Sequence, residues 1–196
     1  VLRYDHSNHI GQSDGDILQT TLRGMQTDLQ AVLDFVATTW PAASLTLLAE
    51  DITARVALKA LTQGKTVDQL LLLNPVFDIA MALSSLFQTS VLDHYRQGAR
   101  RGIVNLWGLN IHLDQFIGDA LAGGYGDMAS MAQDLATLIT QPVIVTSPRK
   151  YRPPHRLFGL QDQSFRALGP SPTIVPLQAD LSSESNANDD RHTNAF

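Results

Sequence analysis

The sequence predicts an α/β fold in which a mostly parallel sheet is flanked by helices. Short apolar runs alternate with longer segments of helical spacing, and this order is typical of parallel sheets with right-handed crossovers. The runs are continuously apolar, as in "QLLLL" at residues 69–73, which indicates strands buried on both faces. Turn-forming residues end the runs, as Asn74-Pro75 does here.

The predicted elements can be placed in chain order. Helical residues 17–39 are identified by an apolar stripe at every third or fourth position, and a second helix is expected at residues 53–61, before Gly64. Residues 76–140 are predicted to be mostly helical, with breaks at "RQGARRG" and at "AGGYGD", which is interpreted as a hinge. Strands are expected at residues 1–4, 44–49, 69–73, 142–146 and 173–177.

Length and composition limit the classes of protein. With 196 residues the chain fits one domain, predicted at residues 1–180 with a helical cap or lid at about 76–126 and a polar, disordered tail at 181–196. A net charge of −5 argues against a nucleic-acid surface. The absence of cysteine excludes disulfides and thiolate chemistry. The longest apolar run is broken by polar residues and the first residues do not resemble a signal peptide, so no membrane span and a cytoplasmic location are expected.

The segment "LLAEDITARVAL" at residues 47–58 predicts a strand, a sharp break and a helix beginning at Thr53 or Ala54. This layout is typical of the nucleophile elbow of α/β hydrolases, where a serine normally occupies the apex. Here the apex is Asp51. Functional side chains collect at the carboxyl ends of parallel strands, so the candidate site draws on the residues that follow these ends: His6, His9, Asp51, Asn74, Asp78, Lys150, Tyr151, His155, Asp180 and Glu184.

Three interpretations of Asp51 remain open. It could be a carboxylate nucleophile that attacks saturated carbon, an inert residue at a helix N-terminus, or a helix N-cap. The helix N–H groups are expected to keep its carboxylate ionised, with a pKa below the usual value of about 3.9.

The other candidate residues also have purely structural interpretations. His6 and His9 in "HSNH" could suggest a metal pair, but without a third ligand the turn formers around them favour a plain loop, tethered by Asp5, and no metal is expected. The apolar residues of 76–93 are predicted to be core or lid packing, with an acyl tunnel as the alternative. Contacts with a substrate are predicted for His9, Asn74 and Phe77.

Two motifs together resemble a known family. "VLRYDHSNHIGQSDGD" followed by "LLAEDITARVAL" is similar to the acyl transferases (myristoyl-ACP thioesterases) of bacterial bioluminescence operons. In that family an R-Y-D strand end leads into a histidine-bearing loop that closes on G-x-S-x-G, matched here by residues 11–15, and the nucleophile precedes Ala-Arg-Val, matched by residues 54–56. Weaker similarity continues through "LLLLNPVFDIAMAL", "GLNIHLDQF" and "PVIVTSP".

The resemblance implies an α/β-hydrolase core that cleaves long-chain acyl thioesters through an acyl-serine, without a cofactor and with an acyl carrier protein as possible partner. The backbone N–H of Ile52 would be an oxyanion donor. All three catalytic positions depart from the family: Asp51 replaces the serine, Lys150 or Tyr151 the acid, and Glu184 the histidine, which leaves His155 as a possible substitute base.

The resemblance therefore implies a relative of thioesterases and acyltransferases that acts on or binds long-chain acyl thioesters, with impaired or absent serine catalysis. The alternatives are a non-catalytic module that binds an acyl group or its carrier protein, and an aspartate-nucleophile hydrolase similar to haloalkane dehalogenases and epoxide hydrolases. By this resemblance the sequence starts where the family is already well into its sheet, so the family's early strands and the segment that gives half of its oxyanion hole are absent from it. Whether the sequence is a fragment and which oligomeric state it has stay open.

Overall fold

The computed structural model describes residues 1–106, 108–126, 128–138, 143–146 and 173–174. A short 3₁₀ helix at Ile17–Gln19 precedes the main elements. These are α1 (Leu22–Thr39), β1 (Thr46–Glu50), α2 (Thr53–Thr62), β2 (Gln69–Leu73), α3 (Ile79–Phe87), α4 (Val91–Arg96), β3 (Ile103–Leu106), β4 (Leu109–His112), α5 (Leu113–Ala122), α6 (Met128–Thr137), β5 (Val143–Thr146) and β6 (Thr173–Ile174).

A parallel sheet with the strand order β1-β2-β5-β6 organises the described part of the chain. In its register Leu48 of β1 lies opposite Leu71, and Leu71 opposite Ile144 of β5. The α/β class and the parallel pairing of β1 with β2 are therefore confirmed. The two later strands are also present, at Val143–Thr146 and Thr173–Ile174, and the other residues predicted for them lie outside the described residues.

The prediction of a strand at residues 1–4 is wrong. These residues form no ladder with β1 or with any other described strand. Val1 and Leu2 are exposed, and the ring of Tyr4 packs edge-on against His6. A segment without a neighbouring strand has no hydrogen-bond partners for its backbone groups. Apolar composition alone therefore does not make it a strand.

Two caps divide the predicted first helix. The Asp16 side chain accepts the N–H of Leu18 at the 3₁₀ helix, and the Thr21 hydroxyl accepts the N–H of Gly24 (3.1 Å) at the start of α1. The apolar stripe of α1 then faces the core through Leu22, Met25, Leu29 and Leu33. Both α1 and the sheet contact α2, whose residues Ala54–Leu58 are all buried.

Strands β3 and β4 pair as an antiparallel hairpin, so the prediction that residues 76–140 are mostly helical is wrong at these two strands. Asn105 stabilises the turn, since its side-chain oxygen accepts the N–H of Gly108 (3.1 Å), which has a φ of +89°. Its amide nitrogen also donates to Asn110 across the strands (3.2 Å). The segment 76–126 thus contains three helices and this hairpin.

A buried ion pair joins α2 to α6. Arg55, in the first turn of α2, is 0% exposed, and its guanidinium donates to Asp134 of α6 (2.6 Å) and to the carbonyl of Gly124 (2.8 Å). Lys59, one turn further along α2, donates to the same carboxylate (3.0 Å). The Arg55 guanidinium also lies over the ring of Tyr125, 5.8 Å from its centre.

Tyr125 extends these contacts to α1. Its ring is fully buried, and its hydroxyl donates to Gln26 on α1. The Gln26 amide in turn donates to Gln63, just after α2 (2.6 Å). Gly124 and Tyr125 lie in "AGGYGD", so these two residues pack the chain after α5 against α2.

None of the helices in the described residues has both the length and the apolar character needed to cross a membrane.

Substituting Asp134→Asn should destabilise the protein by about 3–5 kcal/mol, because Arg55 would remain buried without its counter-charge. Chemical denaturation followed by circular dichroism measures this. Asp93→Asn is the matched control, since Asp93 pairs with Arg96 on the surface (3.0 Å) and its loss should leave the denaturation midpoint unchanged. Equal midpoints for the two variants would contradict the structural role of the buried pair.

Candidate functional site

Asp51 lies at the turn between β1 and α2 with a φ of +53°, a left-handed conformation that non-glycine residues seldom adopt. Its N–H donates to the carbonyl of Leu73 (3.0 Å), and its carbonyl accepts the N–H of Val76 (3.0 Å). The end of β2 therefore holds the turn from the neighbouring strand. A strand, a strained residue and a helix in this order have the geometry of a nucleophile elbow, as the sequence predicted.

Neighbouring residues close the same turn. The hydroxyl of Thr53 accepts the N–H of Glu50 (3.0 Å) and donates to its carbonyl (2.6 Å). The N-cap of α2 is Ile52, in helical conformation and without a side-chain cap bond. The interpretation of Asp51 as a plain N-cap is therefore wrong, since its side chain does not cap the helix.

The expected lowering of the Asp51 pKa is also wrong. Partial burial at the turn raises the pKa of this carboxyl, and the nearby charge of Glu50 raises it further. A hydrogen bond from the Ile52 N–H lowers it, but by less. One donated bond at the end of a ten-residue helix does not outweigh lost water and a like charge.

The same hydrogen bond involves the predicted oxyanion donor. The Ile52 N–H, which would stabilise a negatively charged oxygen in a serine enzyme, lies against the carboxylate of Asp51. The site thus has an anion beside the donor that an oxyanion would need.

The end of β2 brings Asn74 to the same edge of the sheet as Asp51. Asn74 has a φ of +45°, and its side-chain oxygen is buried without a hydrogen-bond partner. Next to it, Phe77 is 3% exposed within the hydrophobic core. Asp78 caps α3, because its carboxylate accepts the N–H of Met81 (2.7 Å).

The loop of residues 5–16 is held by its own side chains. Asp5 accepts the N–H of Gln12 (2.9 Å), as predicted for this tether, and Asn8 accepts the N–H of Asp16 (2.9 Å). Gly11 (φ +122°) and Gly15 (φ +121°) leave room for them, since a Cβ on Gly11 would overlap the Asp5 carboxyl and one on Gly15 the Asn8 side chain.

The side chains of the two loop histidines, His6 and His9, favour the neutral form. Burial lowers the pKa of His6 and of His9. The Nδ1 atom of His6 lies 3.6 Å from the carboxylate of Asp28, which also accepts bonds from the backbone (2.7 Å) and hydroxyl (3.0 Å) of Ser7. Within the described ranges no group of three His, Cys, Asp or Glu residues is placed to hold a metal ion.

Several predicted site residues lie outside the described residues: Lys150, Tyr151, His155, Asp180 and Glu184, together with the predicted tail at 181–196.

Sequence reasoning missed the role of Arg55. The signal was present, because an arginine stands between Ala54 and Val56 on a helix with few other charges. A charged residue in such a setting is expected to be buried only when it is paired. Its partner Asp134 is 79 residues away in the sequence, and no local pattern connects the two.

Residues 1–97, just under half of the chain, match the model of a family described as acyl transferase. The resemblance stated from the two motifs is thereby confirmed over this segment. None of the curated proteins matches the sequence significantly.

Some solved structures are similar at low identity. An esterase domain from Rhodothermus marinus is 14% identical over 84% of this chain and 61% of its own, with a TM-score of 0.48. A candidate non-heme bromoperoxidase from Mycobacterium tuberculosis H37Rv is 14% identical over 81% and 65%, with a TM-score of 0.41. A further protein from Mycobacterium tuberculosis is 14% identical over 88% and 69%, with a TM-score of 0.44. The chain therefore spans less than two thirds of the length of the first two.

Asp51→Asn should stabilise the folded protein at neutral pH, by less than about 1 kcal/mol because solvent screens a partly exposed charge. Asparagine also adopts positive φ, so the change removes the charge and keeps the turn. A raised pKa means that the folded state binds the proton more tightly, so the wild type gains stability as pH falls through that pKa toward the unfolded value of about 3.9. The advantage of the variant should disappear there.

Denaturation curves over this pH range measure the difference. Asp14→Asn is the control, since Asp14 is exposed and its side chain makes no hydrogen bond in the described structure. A variant that is less stable than the wild type at neutral pH would show that the carboxylate supports the turn.

Proposed function

Because residues 1–97 match the acyl transferase family, we propose that the chain binds long-chain fatty acyl thioesters beside the Asp51 turn and does not cleave them through an acyl-serine. The observation behind this proposal is that Asp51, at the apex of the turn, carries a carboxyl group where the acyl-serine route needs a hydroxyl. The negative charge of this group stands next to the backbone of Ile52, the predicted oxyanion donor.

Thioester cleavage by this route needs a neutral hydroxyl that loses its proton to a base, and donors for the oxygen that becomes negative. A carboxylate at position 51 has no proton to lose and would form a reactive anhydride with the acyl group. Its charge also repels the negative oxygen of a tetrahedral intermediate. Binding of the acyl chain places none of these demands on the residue.

In this proposal the remaining residues keep the roles predicted for them from the sequence. Asn74 and Phe77, which follow β2, and His9 contact the substrate, and residues 76–126 act as a cap over the acyl chain. Lys150 or Tyr151 stands at the acid position and Glu184 at the histidine position, which removes the base and its orienting group. No metal or cofactor takes part, an acyl carrier protein is the physiological carrier of the acyl group, and the setting is the cytoplasm.

Asp51→Ser alone should improve binding of a long-chain acyl-CoA. It should give little turnover, because no histidine stands at position 184. The combined change Asp51→Ser, Glu184→His and Tyr151→Asp should be needed for measurable hydrolysis. Single-turnover kinetics with palmitoyl-CoA, together with labelling by a fluorophosphonate probe, distinguish the two variants. Robust turnover by Asp51→Ser alone would contradict this assignment and identify another histidine, His155 first, as the working base.

A second candidate function is hydrolysis at saturated carbon with Asp51 as nucleophile. It is favoured by the exposed position of Asp51 at an elbow with positive φ. The carboxylate oxygen would bond to the substrate carbon while a halide leaves, and water would then attack the carboxyl carbon of the resulting ester and release the alcohol. Retention of a carboxylate at the apex is what this chemistry requires.

A single turnover of a haloalkane in heavy-oxygen water tests this alternative. An Asp nucleophile would transfer the heavy oxygen from water into the Asp51 carboxyl, and the first alcohol formed would carry the ordinary oxygen of Asp51. Mass spectrometry of the peptide that contains Asp51 measures the label. We expect none, and Asp51→Asn serves as the control for background exchange.

A further inference from the structure

Asp14, in the loop of residues 5–16, has a carboxyl group without a partner. The residue is exposed, and within the described part of the chain its side chain accepts no hydrogen bond and forms no ion pair. The carboxyls of Asp5, Asp16 and Asp68, by comparison, each accept a backbone N–H group, at 2.9, 3.0 and 2.6 Å. The Asp14 carboxyl is therefore free to react with a neighbouring group.

The group next to this carboxyl is the backbone nitrogen of Gly15. Asp14-Gly15 is the only Asp-Gly pair in the sequence, which has no Asn-Gly pair. Gly15 is exposed, and its N–H donates to none of the described groups. Because glycine has no side chain, nothing on the residue itself shields the nitrogen from the carboxyl carbon.

A five-membered ring can form between these two groups without a further reactant. The Gly15 nitrogen attacks Cγ of the protonated Asp14 carboxyl, and a succinimide forms while the N–H proton and the carboxyl hydroxyl leave as water. A second water molecule then opens the ring at one of its carbonyls. Attack at Cγ restores aspartate, whereas attack at the backbone carbonyl leaves the chain running through Cγ, which is isoaspartate.

The backbone around Asp14 keeps the loop of residues 5–16 closed. The Asp14 carbonyl accepts the N–H of Asn8 (3.1 Å), and the Asn8 side chain accepts the N–H of Asp16 (2.9 Å). Gly15 packs so closely on Asn8 that an added Cβ would lie 2.1 Å from the Asn8 side-chain oxygen. Isoaspartate lengthens the backbone by one carbon and moves the carbonyl that Asn8 contacts, so the closed loop has no room for it.

We propose that Asp14 is a modification site, at which spontaneous formation of isoaspartate releases the loop of residues 5–16 from its closed conformation. The modified residue exposes its former backbone carboxyl as a free carboxylate, the group that isoaspartyl methyltransferases methylate with S-adenosylmethionine. Ring formation needs neither a substrate nor a catalytic residue, so it occurs whether or not the chain binds acyl groups.

The experiment incubates the full chain at physiological temperature and neutral pH for several weeks. Methyl transfer from S-adenosylmethionine by an isoaspartyl methyltransferase measures the modification, and electron-transfer mass spectrometry of peptides locates it. The wild type should accumulate isoaspartate at Asp14. Asp14→Glu keeps the charge but would need a less favourable six-membered ring, so it should lose the signal. Asp14→Asn should accumulate isoaspartate faster, since its amide releases ammonia and gives the same succinimide.

Asp34→Glu is the matched control, because it makes the same change at an exposed aspartate of α1 that pairs with Lys65. It should accumulate isoaspartate at Asp14 as the wild type does. Absence of isoaspartate from the aged wild type, or an equal signal in Asp14→Glu, would overturn the proposal.

Release of the loop is measured on the same aged sample by thermolysin under native conditions. Cleavage before the exposed Ile10 should be about fivefold faster in the modified chain, the effect of losing about one hydrogen bond from the loop. Peptides with aspartate and with isoaspartate separate by reversed-phase chromatography, so both rates come from one digest. Aged Asp14→Glu should keep the slow rate, and equal rates for the two forms would refute release of the loop.

Discussion

The buried charge of Arg55 is the constraint on which the described structure depends. A guanidinium without water is costly unless every donor finds an acceptor and the charge finds a counter-charge. Asp134 supplies the counter-charge and Gly124 a carbonyl acceptor, both from parts of the chain that are distant in the sequence, while the Nε atom of Arg55 is buried without a hydrogen-bond partner in the described structure. The position of α6, the path of the chain after α5 and the depth of α2 are therefore linked to one side chain.

This link reaches the candidate site because Arg55 lies in the first turn of α2, four residues after Asp51. Arg55 fixes the helix side of the turn, while the carbonyl of Leu73 and the N–H of Val76 fix the strand side. A residue can keep a positive φ where the contacts around it fix its backbone conformation this strongly. The elbow geometry is thus a property of the scaffold and does not require a serine at its apex.

Much of the fold could be predicted because its signals are local. Continuous apolar runs identified β1 and β2, and the break at Asp51 correctly placed the turn between strand and helix. The hairpin of residues 103–112 was missed because its turn depends on the side chain of Asn105 bonding to Gly108, a contact that periodicity does not express. The segment 1–4 was assigned to a strand from composition, although strand formation depends on a partner.

The site was predicted less completely, for an electrostatic reason. The sequence identified Asp51 and the helix that follows it, but the direction of the pKa shift depends on how much water the turn removes and on the distance to Glu50. Both are properties of the folded chain. Arg55 and Asp134 illustrate the same limit, since the sequence around Arg55 indicates a buried, paired charge but only the tertiary contact identifies Asp134 as its partner.

The loop before α1 has an evolutionary consequence. The carboxyl of Asp5 fills the space that a side chain at Gly11 would need, and the amide of Asn8 does the same for Gly15. Each glycine is also held at a positive φ that other residues adopt only with strain. A larger residue at position 11 or 15 is therefore tolerated only when a smaller residue replaces Asp5 or Asn8, respectively, and the backbone relaxes. Across homologous chains these positions should be inherited as two coupled pairs, 5 with 11 and 8 with 15, and joint substitution at each pair would trace the persistence of this loop independently of the fate of the catalytic residues.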